Sequence, residues 1–321
     1  MSLVIIGQGY SYGQDPHFTQ FYAAPIYLNP AFAGSVKCPR IVMNYRNQWP
    51  ALPQAFVTYA ASYDQHVDAI QGGLGLLVMS DKAGEGVLST NSVSGMYSYL
   101  LNVSREFSIK AAIQGTYTQK KLDWDKLTFG DMIDPRYGFV YQTQETRPNE
   151  TRSYVDLSTG IIGYTSVFYG GVAVHHLTEP DEAFIVDGAS PLPRKITGHL
   201  GALIPLGSSR YSESKLSPNV IYMQQAASQY LNIGMYVMKT PLVGGLWYRA
   251  NLATDEKTIA SESIIALVGL QQGIFKFGYS YDLTLSELGN SPGGSHELSF
   301  GLQFECKPRK KRFRTISCPT F

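Results

Sequence analysis

From Pro39 onward the dominant hydropathy period of this 321-residue chain is two, the spacing of a β-strand with two unlike faces. Near the C-terminus Phe275, Phe277, Tyr279 and Tyr281 alternate with Lys276, Gly278, Ser280 and Asp282. The next run sets Leu298, Phe300, Leu302 and Phe304 against Glu297, Ser299, Gly301 and Gln303. Earlier segments behave alike, with Ile41, Met43 and Tyr45 opposite Asn44, Arg46 and Gln48, and Phe107, Ile109 and Ile113 opposite Ser108, Lys110, Gln114 and Thr116. Mean hydropathy is only -0.10, and no window approaches the roughly 18 uncharged apolar residues that a spanning helix needs. A strand that alternates lipid-facing with polar residues averages to such a neutral value. Disorder is excluded, because 12% of residues are aromatic and 26 basic groups nearly balance 25 acidic ones.

Alternation alone does not separate a soluble sandwich from a membrane barrel, but the connections do. Fourteen strands are predicted, near residues 40–48, 55–67, 71–80, 87–102, 105–120, 153–164, 167–177, 195–205, 216–226, 229–239, 241–250, 258–269, 273–282 and 295–305. Alternate connections fall into a mostly tight set and a longer set that includes 121–152, 178–194, 251–257 and 283–294, with 227–228 an exception. Short turns on one side, long loops on the other and an even strand number describe an outer-membrane barrel with both termini on the short-turn, periplasmic side. The fold class expected is therefore all-β, an antiparallel transmembrane β-barrel forming one domain over 40–306.

The two ends of the chain stand apart from this pattern. Residues 1–13, MSLVIIGQGYSYG, read as the remnant of a secretory signal peptide, with Gln14 expected to begin the mature chain. Gly7-Gln8-Gly9 does not continue into a dinucleotide-binding turn, because Tyr12 stands where the third glycine belongs and no helical pattern follows. At the other end Lys307, Arg309, Lys310, Lys311, Arg312 and Arg314 make a basic tail over 307–321, leaving 20 basic and 25 acidic groups, net -5, in the rest. No aromatic-interleaved basic face accompanies it, so nucleic acid is not an expected partner, and the tail reads as solvated or as a contact for anionic groups or a periplasmic protein. Cys38 precedes the first strand and Cys306 follows the last, so barrel closure would bring them to one rim. Cys318 is a competing partner, and three free thiols are the alternative.

Catalytic signatures fail on mechanism. Gly289-Asn290-Ser291-Pro292-Gly293 matches a nucleophile elbow, yet Pro292 lacks the N–H that an oxyanion hole needs there. Ser212-Glu213-Ser214-Lys215 lacks its companion motifs, and adjacent His175 and His176 are expected on opposite faces of a strand, unable to share a metal. Asp131 and Asp134 are expected to cap turns before Pro135 rather than to act as a carboxylate pair. The chain is read as non-enzymatic, with no catalytic, metal or cofactor-binding residues.

The segment QDPHFTQFYAAPIYLNPAFAG, residues 14–34, is not explained by alternation. It resembles the N-terminal signature of the PorP/SprF family of Bacteroidetes type IX secretion membrane proteins. Further similarity follows in order at NYRNQWPAL (44–52), LTFGDMIDPRYGF (127–139), GVAVHHLTEP (171–180), GGLWYR (244–249), GSHELSFGLQF (294–304) and FRTISCPTF (313–321). The resemblance implies an integral outer-membrane barrel that serves export or surface attachment of large adhesin-like cargo with a type-B C-terminal domain, in gliding species adhesins of the SprB kind. It also implies contact with the secretion translocon, a periplasmic peptidoglycan-binding protein and membrane lipids.

The residues themselves suggest where such roles would lie. Residues 14–39 carry Phe18, Phe21, Tyr22, Tyr27, Asn29, Pro30 and Phe32 at no regular period, and are expected to plug the lumen or brace its periplasmic mouth, since so many wet aromatics would be costly. The long loops at 121–152 and 178–194, with Asp131, Asp134, Arg136, Glu179 and Asp181, are the expected cargo-facing surface. A porin or small-molecule transporter would use the same strands around an open lumen, and a soluble binding sandwich would need no membrane.

Overall fold

The computed structural model describes residues 15–52, 55–185, 188–207, 214–252, 260–285 and 293–306. Fourteen antiparallel strands form the wall: β1 (Arg40–Gln48), β2 (Phe56–Val67), β3 (Gly72–Ala83), β4 (Leu88–Asn102), β5 (Ser108–Leu122), β6 (Thr151–Tyr164), β7 (Phe168–His175), β8 (Lys195–Ala202), β9 (Ser214–Gln225), β10 (Ser228–Lys239), β11 (Leu242–Asn251), β12 (Ala260–Gln272), β13 (Phe275–Thr284) and β14 (Ser295–Gln303). Each strand pairs with its sequence neighbours, and β1 pairs with β14 from Arg40 opposite Gln303 to Gln48 opposite Ser295. The sheet therefore closes on itself, which satisfies both edges of every strand and leaves no open ladder in lipid. Ile204–Pro205 adds a short pairing to β9, and Ile133–Asp134 with Gly138–Phe139 forms a two-stranded ribbon inside one long loop.

Burial is inverted relative to a soluble protein. Met43, Tyr59, Leu76, Val93, Ile113, Leu157, Val172, Leu246, Val268 and Phe277 stand exposed on the outer face, whereas Asn44, Ser62, Ser94, Lys110, Gln114, Ser158, Asn219, Arg249, Lys276 and Glu297 are buried on the inner face. A soluble sandwich hides its apolar face, so this pattern belongs to a barrel whose solvent is hydrocarbon. Outward aromatics stand toward both rims, with Tyr99, Phe168 and Phe275 near one and Tyr117 and Tyr248 near the other, as interfacial side chains do.

Loop lengths are segregated, though not uniformly. One end carries the connections 68–71, 103–107, 165–167, 240–241 and 273–274, with 203–213 the exception, and the other carries 49–55, 123–150, 176–194, 252–259 and 285–294, with 84–87 and 226–227 tight. At the short-turn end Cys38 and Cys306 are joined in a disulfide across the β1–β14 junction, 268 residues apart in sequence. Cys318 and the basic residues Lys307, Arg309, Lys310, Lys311, Arg312 and Arg314 lie outside the described residues, as does most of the elbow-like motif at 289–293.

Two outcomes test this architecture. Ile113, 67% exposed in the outward row of β5, is expected to tolerate Arg poorly: Ile113→Arg should cost about 2–4 kcal/mol in unfolding titrations from lipid vesicles, whereas a soluble fold would lose almost nothing. Peptide mapping without reductant is expected to find Cys38 linked to Cys306. Cys38→Ser should lower the thermal midpoint, because the link restrains the unfolded chain over a long loop.

Candidate functional site

The interior of the barrel is occupied by the protein's own N-terminal segment. Pro25 and Pro30 pre-set the backbone for a single helical turn, α1 (Pro25–Leu28), and a 3-10 turn at Pro30–Phe32. Between them Asn29 caps the second turn, its Oδ1 accepting from the Ala31 N–H at 2.9 Å. The same amide donates to the carbonyls of Ile161 and Val172, both at 3.3 Å, and lies 3.2 Å from His199 Nε2, so one side chain orders the segment and fastens it to β6, β7 and β8.

The segment traverses the lumen from end to end. At the long-loop end the Asp15 N–H donates to Gln225 Oε1 at 3.0 Å, and its carboxylate meets His176 at 2.8 Å and Lys195 at 3.3 Å. Lower down, the Thr19 N–H and hydroxyl both donate to the Glu297 carboxylate, at 2.6 and 2.7 Å, and Gln20 Nε2 donates to the Glu297 carbonyl at 2.9 Å. Near the short-turn end the Ala33 carbonyl accepts from Lys110 Nζ at 2.5 Å and Ser98 Oγ at 2.7 Å. The Gly34 N–H donates to Asp64, which also pairs with Arg40 at 2.8 Å where β1 begins. Asp15 thus stands at the long-loop end, away from Ala33 and Gly34 at the short-turn end, and the residues before it lie outside the described ones. With its polar partners distributed along the whole lumen, the leader runs back through it to the opposite rim instead of bracing one mouth.

Aromatic packing fills what the hydrogen bonds leave. Phe18 meets Tyr27 edge-on at 5.2 Å, Phe21 lies against Trp247 at 4.8 Å, and Phe32 stacks on His199 at 5.3 Å. Tyr22 makes edge contacts with Phe32, Tyr169 and Tyr236, and Pro30 is buried among its neighbours. The wall is shaped for this chain. A Cβ on Gly160 would stand 2.1 Å from Asn29 Oδ1, and one on Gly73 would stand 2.2 Å from the Ala33 carbonyl. Gly73, Gly160, Lys110, Glu297 and His199 are the residues that sequence reading did not single out. Their only signal was a glycine or an ionisable group on the inward face of a strand.

Above the segment, toward the long-loop end, lies a cavity of about 420 Å³, floored by Asp15, Pro16, His17 and Tyr27 and walled by the inward residues of β1–β8. His175 and His176 do not face opposite ways as strict alternation requires. His176 has φ of 59°, a left-handed conformation that ends the strand and turns its ring inward between Asp15 and Asp156. Burial opposes its charge, but Asp15 and then Asp156 outweigh that and push its pKa up to about 9. Among the described residues no cluster of histidine, cysteine and carboxylate side chains is arranged to hold a metal.

In the long loops, Asp134 accepts from the Arg136 and Tyr137 N–H groups at 2.8 and 2.9 Å and from the Tyr141 hydroxyl, and these donors hold its carboxyl below the usual range. Asp131 accepts from the Gln144 N–H at 2.7 Å. Asp134 therefore caps its own turn, whereas Asp131 ties the later part of the loop at residues 143–144 back to its start. Arg136 lies over the Tyr137 ring, Glu179 pairs with Arg194 at 3.2 Å, and Asp181 accepts from the Ser190 and Ala183 N–H groups, which hold its carboxyl low. Asp131, Asp134 and Arg136 thus belong to one loop, and Glu179 and Asp181 to the next.

Among solved structures the chain is similar to Acinetobacter baumannii Omp33, at 9% identity over 84% of this chain and 100% of that one, with a TM-score of 0.46. It is also similar to a deletion mutant of the monoaromatic hydrocarbon channel TodX (12%, covering 88% and 94%, TM-score 0.48) and to a Pseudomonas aeruginosa FadL homologue (11%, covering 86% and 93%, TM-score 0.46). Resemblance at this level carries no argument about cargo or substrate. No curated protein matches the sequence. The family model described as type IX secretion system membrane protein PorP/SprF matches residues 10–302, nearly the whole chain. With that span matched and a closed outer-membrane barrel beneath it, the chain belongs to the PorP/SprF family of type IX secretion system membrane proteins.

Proposed function

We propose that this barrel is a non-enzymatic docking component of the type IX secretion system, which receives large adhesin-like cargo with a type-B C-terminal domain for export or for attachment at the cell surface. The observation that carries this reading is the occupied lumen. Residues 15–35 lie within it on hydrogen bonds to Glu297, Lys110 and His199, which supports a lumen closed to the free diffusion that a porin needs. In this reading the segment is a plug. The long-loop end faces outward, and the loops 123–150 and 176–194 are the cargo-facing surface, because they are the largest connections there and their turns are ordered by Asp134 and Asp181. The short-turn end, with the disulfide, then faces the periplasm, where partners that bind peptidoglycan reside. Gliding-linked adhesins fall within the same cargo class.

The porin alternative is separated by single-channel recording. The wild-type barrel is expected to be nearly silent in planar bilayers, and deletion of residues 14–34 to open it. Gly160→Leu, which would displace Asn29, provides a second route to the open form where the deletion does not fold. Steady wild-type currents that neither change alters would contradict the plug. For the cargo, a reporter fused to a type-B C-terminal domain is expected to co-purify with the tagged native barrel. Replacing 123–150 by a short Gly-Ser turn should reduce that capture about tenfold while the barrel keeps its heat-modifiable migration.

A further inference from the structure

The 420 Å³ cavity at the long-loop end has a chemistry of its own. Most of the inner wall is polar, yet on this side Leu77, Met79 and Leu88 point inward and make an apolar strip that leads up to Asp81. Leu77, Met79 and Asp81 share the inward face of β3 at successive period-two positions, and Leu88 opens the adjoining strand.

Charge pairing singles out Asp81. Around the cavity Asp15 and Asp156 are paired with His176, Glu182 with Lys120, Lys195 with Asp15, and Arg46 with Asp282. Asp81 forms no ion pair among the described residues, and it accepts a hydrogen bond from the Thr58 hydroxyl at 2.6 Å. A further acceptor lies deeper in the same cavity. Gln114, only 7% exposed, lines the cavity with its Oε1 unpartnered, while its amide nitrogen donates to Thr116 at 3.0 Å. The free acceptors of this enclosure are a carboxylate near the rim, beside a wall suited to methylenes, and a carbonyl deeper in, while Arg46 Nε and His17 Nε2 are buried in its lining without a partner.

We propose that the cavity is a binding cup for an alkylammonium or alkylguanidinium group, with Asp81 as the charged anchor and Leu77, Met79 and Leu88 against the aliphatic stem. The volume falls within the range of small-ligand sites and admits a lysine or arginine side chain with part of its backbone. A cation there gains a charge-assisted hydrogen bond to a partly desolvated carboxylate. Two sources share this chemistry, a basic residue in an extended peptide and a free amine. The site is independent of which cargo the loops receive.

Isothermal titration of the detergent-purified full-length barrel tests it with four probes: the peptide acetyl-Leu-Lys-Leu-amide, acetyl-lysine methylamide, cadaverine, and acetyl-norleucine methylamide as the uncharged control. Saturable binding of the lysine probes without binding of the norleucine one is expected. Asp81→Asn should weaken it at least tenfold, and Leu88→Lys, which would fill the cup with a tethered ammonium, should abolish it. Asp134→Asn, in a long loop outside the cup, should leave it unchanged. Preference for the tripeptide assigns the cup to peptides, and equal or tighter binding of cadaverine assigns it to free amines. No saturable binding of any charged probe at millimolar concentration, equal binding of norleucine, or full affinity in both folded variants overturns the proposal. Heat-modifiable migration of each variant verifies the fold, and Leu88→Lys keeps the test decisive where Asp81→Asn does not fold.

Discussion

Closure of the sheet between β1 and β14 is the constraint on which everything else depends. In hydrocarbon an unpaired backbone N–H or C=O costs several kcal/mol, so strands can cross a membrane only when every edge is paired. The register from Arg40 opposite Gln303 to Gln48 opposite Ser295 supplies the last pairing, and the Cys38–Cys306 disulfide stands at its short-turn end. Once the cylinder closes, side-chain alternation has a single sense: apolar residues outward to lipid, polar residues inward. Arg40, Arg46, Lys110, Glu297 and Asp282 are then committed to the interior.

That commitment creates a second problem, which the N-terminal segment addresses. Ionisable groups inside a narrow barrel need partners, and only some find them across the wall, as Arg46 does with Asp282. Glu297, 3.5 Å from Arg46, also meets the Thr19 N–H, and Lys110 meets the Ala33 carbonyl, backbone groups of a chain that has no sheet of its own to pair with. The leader's unsatisfied backbone and the wall's buried charges complement each other. The leader's aromatics form, with Tyr169, Tyr236 and Trp247, a small apolar core at the centre of an otherwise polar interior. The arrangement leaves a cavity of about 420 Å³ beside the leader toward the long-loop end.

The strand pattern was the most legible part of the sequence, because period two is a local property and lipid enforces it strictly. Fourteen strands were foreseen, and those at 40–48 and 228–239 differ from expectation by a residue at most. What a local pattern does not carry is the path of residues 15–35. Their partners Glu297 and His199 are far away in sequence, and nothing in QDPHFTQFYAAPIYLNPAFAG indicates which rim Asp15 reaches. Period two also misplaced His176, where one left-handed residue ends the alternation and turns a ring inward. Lys110 and Gly160 were invisible as contact residues for a related reason: on an inward face, a lysine or glycine that receives another chain looks like one that meets water.

The central claim is that residues 15–35 occupy the lumen of this barrel, held by hydrogen bonds to its inner wall. Amide hydrogen exchange on the protein in lipid nanodiscs reads this directly. The account predicts that the Thr19, Ala31 and Gly34 N–H groups, bonded to Glu297, Asn29 and Asp64, exchange as slowly as the β-strands around them. Exchange of these amides at the rate of an unstructured peptide, with the strands still protected, would contradict it.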